Sequence, residues 1–301
     1  MSNKAINHSL QTVYLRRYTL TEGKENGLKV IELGNSELRV LLNESKALDI
    51  MQVWHKGVNM SFVSKNGFTA REIAFGKRFE GGMLYTCGLD AIGGCEGLEV
   101  HGSFHNTPAR VLEVSQQGDT LRVKALTECT ALFGENLCME RTITLTGNQL
   151  RWEDKLLNRG TREENYALLY HINFGYPMLD EGTEIIADVG EVVPVTDHAA
   201  ENAPHRAIFS APIDNEEESC YYLQNKGDVV RVRNEKLGRE VTLRYSKDTL
   251  PCLVQWSSPA SGDYALGIEP ATSRLGGEIR YKQIQPEQSV HFFAELTFEE
   301  N

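Results

Sequence analysis

No two of the six cysteines form a Cys-x-x-Cys pair, and their positions (87, 95, 129, 138, 220 and 252) make no dense framework. In a chain of 301 residues they read as free thiols of a reducing compartment rather than as a disulfide scaffold. No apolar stretch approaches the roughly 20 residues that a bilayer crossing needs. The opening segment "MSNKAINHSLQTVYLRRYTL" lacks the basic, apolar, small-residue order of a secretory leader. The expected location is therefore the cytoplasm. Dense Lys/Arg runs are also missing, and 42 acidic residues outweigh 31 basic ones for a net charge of −11. That balance opposes nucleic acid and anionic membrane surfaces as partners and better suits a neutral or cationic small molecule, or no charged partner at all. Nothing in the sequence sets an oligomeric state.

Several catalytic signatures are absent as well. No Gly-Lys-Ser/Thr closes a phosphate loop, no His-Glu-x-x-His marks a metal helix, and no Gly-x-Ser-x-Gly elbow presents a serine nucleophile. Nothing repeats at a period of 20–50 residues, which argues against propellers and solenoids.

What is present is period-two alternation. In "TLRVKALTECT", Leu121, Val123, Ala125 and Thr127 take one side, with Arg122 and Lys124 on the other. "MERTITLTGNQLRWEDKLLN" reads as a hairpin around Gly147-Asn148, and "DVVRVRNEKLGREVTLRYS" as a second with Gly238 just past its turn. Further strands are expected in "GLKVIELG", "ELRVLLN", "ALDIMQVWH", "ARVLEVS", "TEIIADVG", "PCLVQWSS", "YALGIEP" and "VHFFAELTFE". Short β-rich runs separated by turn residues indicate an all-β, mainly antiparallel sandwich with few short helices. The best long helix candidate, "LNRGTREENYALL", is interrupted by Gly160 and continues as strand. The polar stretch "VTDHAAENAPHRAIFSAPIDNEEES" reads as a surface connection, because the same strand pattern resumes after it. One domain over residues 1–301 is the expectation.

Four segments concentrate chemistry. "FGKRFEGGMLYTCGLDAIGGCEG" carries Arg78, Asp90 and Glu96 among glycines that suit tight turns. "LEVHGSFHN" carries His101 and His105; their spacing would share a helix face, but Gly102 and the β context oppose a helix and with it a metal pair. "ALLYHINFGYP" sets His171 and Asn173 at the end of an apolar run. "YALGIEPATSRLGG" sets Glu269 among apolar residues and directly before Pro270, where an unpaired carboxylate is costly to bury. Each has a plain structural alternative: His171 as a satisfied core histidine, Asp90 as a turn cap, the thiols as inert core.

Together these segments resemble the aldose 1-epimerase (galactose mutarotase-like) superfamily. The likeness rests on "YHINFGYP…TEIIADVGEVVPV", "EVHGSFHN", "LGIEPATSRLGG" and "GKRF", in the order Arg, His, His, Glu over roughly residues 28–298. It departs from the usual pattern at Tyr170-His171-Ile172-Asn173-Phe174 and at His101-Gly102-Ser103. Glu218 in "ESCYYL" stands where the family has a substrate-binding aspartate. The chain thus has the look of a divergent branch, and its sugar cannot be carried over from galactose.

The resemblance implies a β-supersandwich with a concave sugar cleft and interconversion of α and β anomers of a free sugar without metal or other cofactor. It implies Glu269 as the base and His171 as the acid, with Arg78, His101 and Glu218 binding sugar; Asp90, His105 and Asn173 are expected as further members of the same concave surface. Two other readings stay open at this point: a non-catalytic carbohydrate-binding protein on the same fold, and a metal-dependent β-sandwich hydrolase or lyase built on His101 and His105.

Overall fold

The computed structural model describes residues 5–301; the first four residues, where the stretch read for a leader begins, lie outside the described residues. Strand accounts for 51% of the structure and helix for 8%. No helix among the described residues is long and apolar enough to cross a membrane.

Five strands form an antiparallel meander: β1 (Tyr14–Thr19), β2 (Lys29–Gly34), β3 (Leu38–Asn43), β4 (Asp49–His55) and β5 (Val58–Asn59). The remaining strands join a second, larger sheet. They are β6 (Tyr85–Leu89), β7 (Arg110–Gln117), β8 (Thr120–Thr130), β9 (Asn136–Thr146), β10 (Gln149–Asn158), β11 (Glu164–Phe174) and β12 (Glu184–Pro194). After a long connection come β13 (Ser219–Asn234), β14 (Arg239–Tyr245), β15 (Cys252–Ser258), β16 (Ala265–Ala271), β17 (Lys282–Ile284) and β18 (Ser289–Glu300). Their order is β17-β11-β16-β15-β13-β14-β18-β10-β9-β8-β7, with β12 beside β13 and β6 beside β11. Every expected strand run has its strand, and the hairpin at Gly147-Asn148 pairs Gln149 with Thr146.

The candidate helix at "LNRGTREENYALL" forms no helix. Asn158 ends β10 by closing a turn: its Oδ1 accepts from Gly160 N at 2.8 Å and its Nδ2 donates to Arg162 O at 2.8 Å. β11 starts two residues later, at Glu164. The long connection before β13 holds one short helix, α1 (Asp197–Asn202), whose start is capped where Thr196 Oγ1 accepts from Ala199 N. A single turn at Phe75–Arg78 precedes β6.

Both faces of the central strands are covered. Along β11, Leu168, Tyr170, Ile172 and Phe174 enter the main core, which draws on both sheets. Ala167 and Leu169 enter a smaller cluster with Tyr85, Cys87, Tyr222 and Val254 on the other face. His171 and Asn173 alternate with the first set and so lie on this second face. That is why the run around His171 reads as continuously apolar.

An ionic network runs through the interior beside the main core. Arg141 donates to Asp154 through Nε and Nη2 at 2.8 and 2.7 Å and also bonds Asp49. Tyr170 Oη reaches Asp154 at 2.7 Å, and Lys46 pairs with Glu80 at 2.6 Å.

Candidate active site

Strand register assembles the centre of the site. Pairing of Leu169 with Ala271 and of Ile172 with Ile268 sets His171 opposite Glu269. Tyr85 flanks His171 on β6, and Val254 flanks Glu269 on β15. The next row on the same face is Asn173, Gly267, Trp256 and Cys220. Gly267 leaves the space that the catalytic candidates fill: a Cβ there would stand 2.5 Å from Glu269 Oε1 and 3.0 Å from His171 Cε1.

His171 Nε2 lies 3.2 Å from Glu269 Oε1, both side chains being almost wholly buried. The contact is not aligned as a hydrogen bond, and Glu269 Oε1 and His171 Nδ1 have no hydrogen-bond partner. Burial, reinforced by the nearby Glu218 carboxylate, holds the Glu269 carboxyl well above its ordinary pKa. Burial and then His101 hold the His171 imidazole well below its own, against the opposing effect of the Asn173 side chain. The pair therefore keeps one proton over a wide pH range. A protonated carboxyl beside a neutral imidazole has the same proton count as a carboxylate beside an imidazolium, so the pair can switch roles without exchange with solvent.

His101 stands over this pair, its ring centroid 5.4 Å from that of His171. Its backbone is left-handed (φ 64°) and precedes Gly102 (φ 76°). A Cβ on Gly102 would meet Gly88 O at 2.4 Å, so the bend requires glycine. Gly93 N donates to His101 Nδ1 at 3.2 Å, which fixes the ring as the tautomer with its proton on Nε2. Burial lowers this imidazole to about 4, keeping it a neutral donor near neutrality.

These groups line one cleft of about 1050 Å³, with aromatic walls that include Phe75, Phe79, Tyr222 and Trp256. Phe79 and Trp256 each have ring centroids 5.5 Å from His171. Glu218 lines the same cleft and accepts from Trp256 Nε1 at 2.8 Å. Of the residues singled out in the sequence, His101, His171, Glu218 and Glu269 thus converge. Asn173 sits beneath: its Nδ2 donates to Gly82 O and His171 O, both at 3.0 Å.

Three expected members lie elsewhere. Arg78 does not line the cleft; its Nη1 donates to Ile73 O at 2.8 Å and its Nη2 lies 2.8 Å from Glu99. Asp90 is a turn cap, Oδ1 accepting from Ala91 N and Ser103 N at 3.1 and 2.9 Å. His105 is turned into the ionic network, Nδ1 2.6 Å from Asp49, Nε2 3.3 Å from Glu80, and its ring stacked on Tyr85 at 3.7 Å. His101 and His105 consequently face different environments, and no group of three His, Cys, Asp or Glu side chains among the described residues is placed to hold a metal ion. Trp256, Glu216 and Gly267 are the members sequence reasoning passed over. The alternation of Trp256 with Cys252 and Val254 and the glycine two residues before Glu269 were the available signals.

The architecture is that of the galactose mutarotase-like β-sandwich proteins. One similar solved structure, a "putative aldose 1-epimerase" from Klebsiella pneumoniae, is 22% identical with a TM-score of 0.84, covering 94% of this chain and 83% of that one. A galactose mutarotase-like protein from Clostridium acetobutylicum is 14% identical with a TM-score of 0.72, covering 97% and 100%. A galactose mutarotase related enzyme from Lactobacillus acidophilus is 14% identical with a TM-score of 0.63, covering 90% and 97%. No curated protein matches the sequence. The chain belongs to the family described as domain of unknown function DUF4432, whose model matches residues 25–292.

Proposed function

We propose that this protein catalyses anomer interconversion of a free aldose, as an enzyme of the aldose 1-epimerase type. The observation that carries the reading is the buried His171–Glu269 pair, an imidazole nitrogen 3.2 Å from a carboxyl oxygen in the cleft. Anomerisation opens the hemiacetal ring, rotates the aldehyde and recloses it. A base takes the proton of the C1 hydroxyl while an acid protonates the ring oxygen, and the roles reverse on closure. As sugar binds, the shared proton passes from the Glu269 carboxyl to His171; Glu269 is then the base in the opening step and His171 the acid, each contributing roughly 10²–10⁴-fold. His101 donates its Nε2 proton to a hydroxyl or to the ring oxygen without being consumed. Glu218 accepts from a sugar hydroxyl, and the aromatic walls pack on the apolar C–H face of the ring.

The mutarotase-type names of the three similar structures agree with this reading. So does the cleft volume, at the upper end of the roughly 300–1,000 Å³ usual for small-molecule sites. The test is the rate of anomer exchange, measured by polarimetry or NMR exchange on anomerically pure aldoses, above the spontaneous rate of each. Exchange above that background supports the enzyme. Binding of a sugar with no excess exchange makes it a carbohydrate-binding protein instead.

A further inference from the structure

The charges around the cleft are one-sided. Its lining includes the carboxylates Glu216, Glu218, Asp263 and Glu278, beside the proton-holding Glu269, against one cation, Lys65. That lysine is already held by Asp263 at 2.5 Å, and Glu278 is held by Arg274 at 2.9 Å. Arg78, the cation the sequence pointed to, is engaged with Glu99 outside the cleft. Glu216 and Glu218 approach β13 on alternate residues, so both line the cleft while Glu217 does not. Among the described residues Glu216 has only His198 at 3.4 Å, and Glu218 only the Trp256 indole N–H. Independently, the 1%-exposed Glu269 lines the same space with Oε1 lacking a hydrogen-bond partner. Carboxylates without counterions, set among aromatic faces, form an environment that attracts an organic cation and repels an anion.

We propose, resting on the anomerisation reading, that the substrate is an amino aldose whose free ammonium is held by Glu218 and Glu216 beside Trp256, with its anomeric carbon at the His171–Glu269 pair. A sugar phosphate or uronate would bring a further negative charge to carboxylates that no free cation in the cleft offsets. The ammonium would also do chemical work. The Glu218 charge opposes ionisation of Glu269, and an ammonium held at Glu218 offsets that charge and favours the ionised base. The substrate's own charge thereby readies the group that deprotonates it.

The experiment measures kcat/KM for anomer exchange by NMR, each spontaneous rate subtracted, at low ionic strength. The sugars are a neutral hexose, its 2-amino and 6-amino derivatives, the N-acetyl form of each, and the 6-phosphate. At least one amino aldose is expected to exceed both its N-acetyl form and the parent by about tenfold or more. That preference should shrink with added salt and in Glu218→Gln or Glu216→Gln. The proposal is overturned if the neutral hexose is exchanged as efficiently as every amino derivative, or if both variants keep the full preference. Were no sugar exchanged at all, the anomerisation reading would fall and this one with it.

Discussion

His171 and Glu269 face one another across the central strands β11 and β16, Nε2 3.2 Å from Oε1, and neither His171 Nδ1 nor Glu269 Oε1 has a hydrogen-bond partner among the described residues. The two lie almost 100 residues apart in sequence, and only the antiparallel register brings them together. Placement on buried strands rather than loops holds the pair to a narrow range of geometries, as proton transfer to two different oxygens of one sugar requires. Burial of two ionisable groups is unfavourable for stability, and such a pair in a cleft marks a candidate functional site.

Removing either member should therefore reduce catalysis far more than binding. Glu269→Gln keeps shape and hydrogen bonding and should lower kcat by about 10²-fold or more with the sugar still bound. His171→Ala should do likewise. The double variant should lose less than the product of the two, because both act on one transfer. Anomer exchange beside calorimetric sugar binding checks this, and a Glu269→Gln variant at wild-type speed removes Glu269 as the base.

Gly267→Ala tests the site without touching an ionisable group. The added Cβ meets Glu269 Oε1 and His171 Cε1, so the pair must shift. Overpacking of this kind costs about 1–3 kcal/mol of stability. Misplacement of reacting groups by about 1 Å can cost as much as 10²-fold in rate, so kcat/KM should fall at least about tenfold. In a Glu269→Gln background the same substitution should add little further loss. A full independent loss there would mean that Gly267 acts through the fold at large.

The pH dependence follows from the proton count. A second proton enters the pair only below the ordinary imidazole value of 6.5, because burial lowers His171. The single proton leaves only above the ordinary carboxyl value of 4.5, because burial raises Glu269. The kcat/KM profile should be a broad plateau whose limbs belong to the pair. His101, at about 4, should contribute no limb near neutrality. An acid limb centred above 6.5 in kcat/KM would contradict this assignment.

Much of this was readable from sequence, and the exceptions share a cause. Short apolar runs ended by turn residues identified the strands that present His171 and Glu269, and period two then ties each residue's face to its neighbours'. Arg78, Asp90 and His105 lie in turns and short helical pieces, where no period reports side-chain direction. His105 follows His101 by four residues, yet the left-handed bend at His101-Gly102 sends it to Asp49 and Glu80 instead of the cleft. The Arg141 network was invisible for a related reason. Asp49, Arg141, Asp154 and Tyr170 come from β4, β9, β10 and β11, and only cross-strand pairing such as Asp154 with Arg141 joins them.

That network should govern stability rather than catalysis. Arg141→Met leaves Asp49 and Asp154 buried without their guanidinium, a loss of about 3–5 kcal/mol and about 5–8 °C in Tm. Burial alone would raise the Asp49 carboxyl, but Arg141, His105 and Thr86 together hold it below its ordinary value. Its contribution is therefore present above the unfolded pKa and lost as pH falls through the folded one. Acid unfolding of the Arg141→Met variant should begin at higher pH than in wild type. A thermal melt series across pH, with wild type alongside, checks both statements.

Glu269 should show the opposite sign. Its folded carboxyl keeps its proton where the unfolded chain, ionising near 4.5, has lost it. The folded state is penalised progressively as pH rises above that point, up to the raised folded pKa. Glu269→Gln removes the penalty, so the inactive variant should be more stable than wild type near pH 7, by about 0.5–2 kcal/mol. Near pH 4, where the carboxyl is largely protonated in both states, the two melts should converge. If Glu269→Gln instead melts below wild type at pH 7, the carboxylate is stabilising the fold as an ion pair with His171. The proton would then rest on the imidazole, and the acid of the opening step would already be charged before sugar binds.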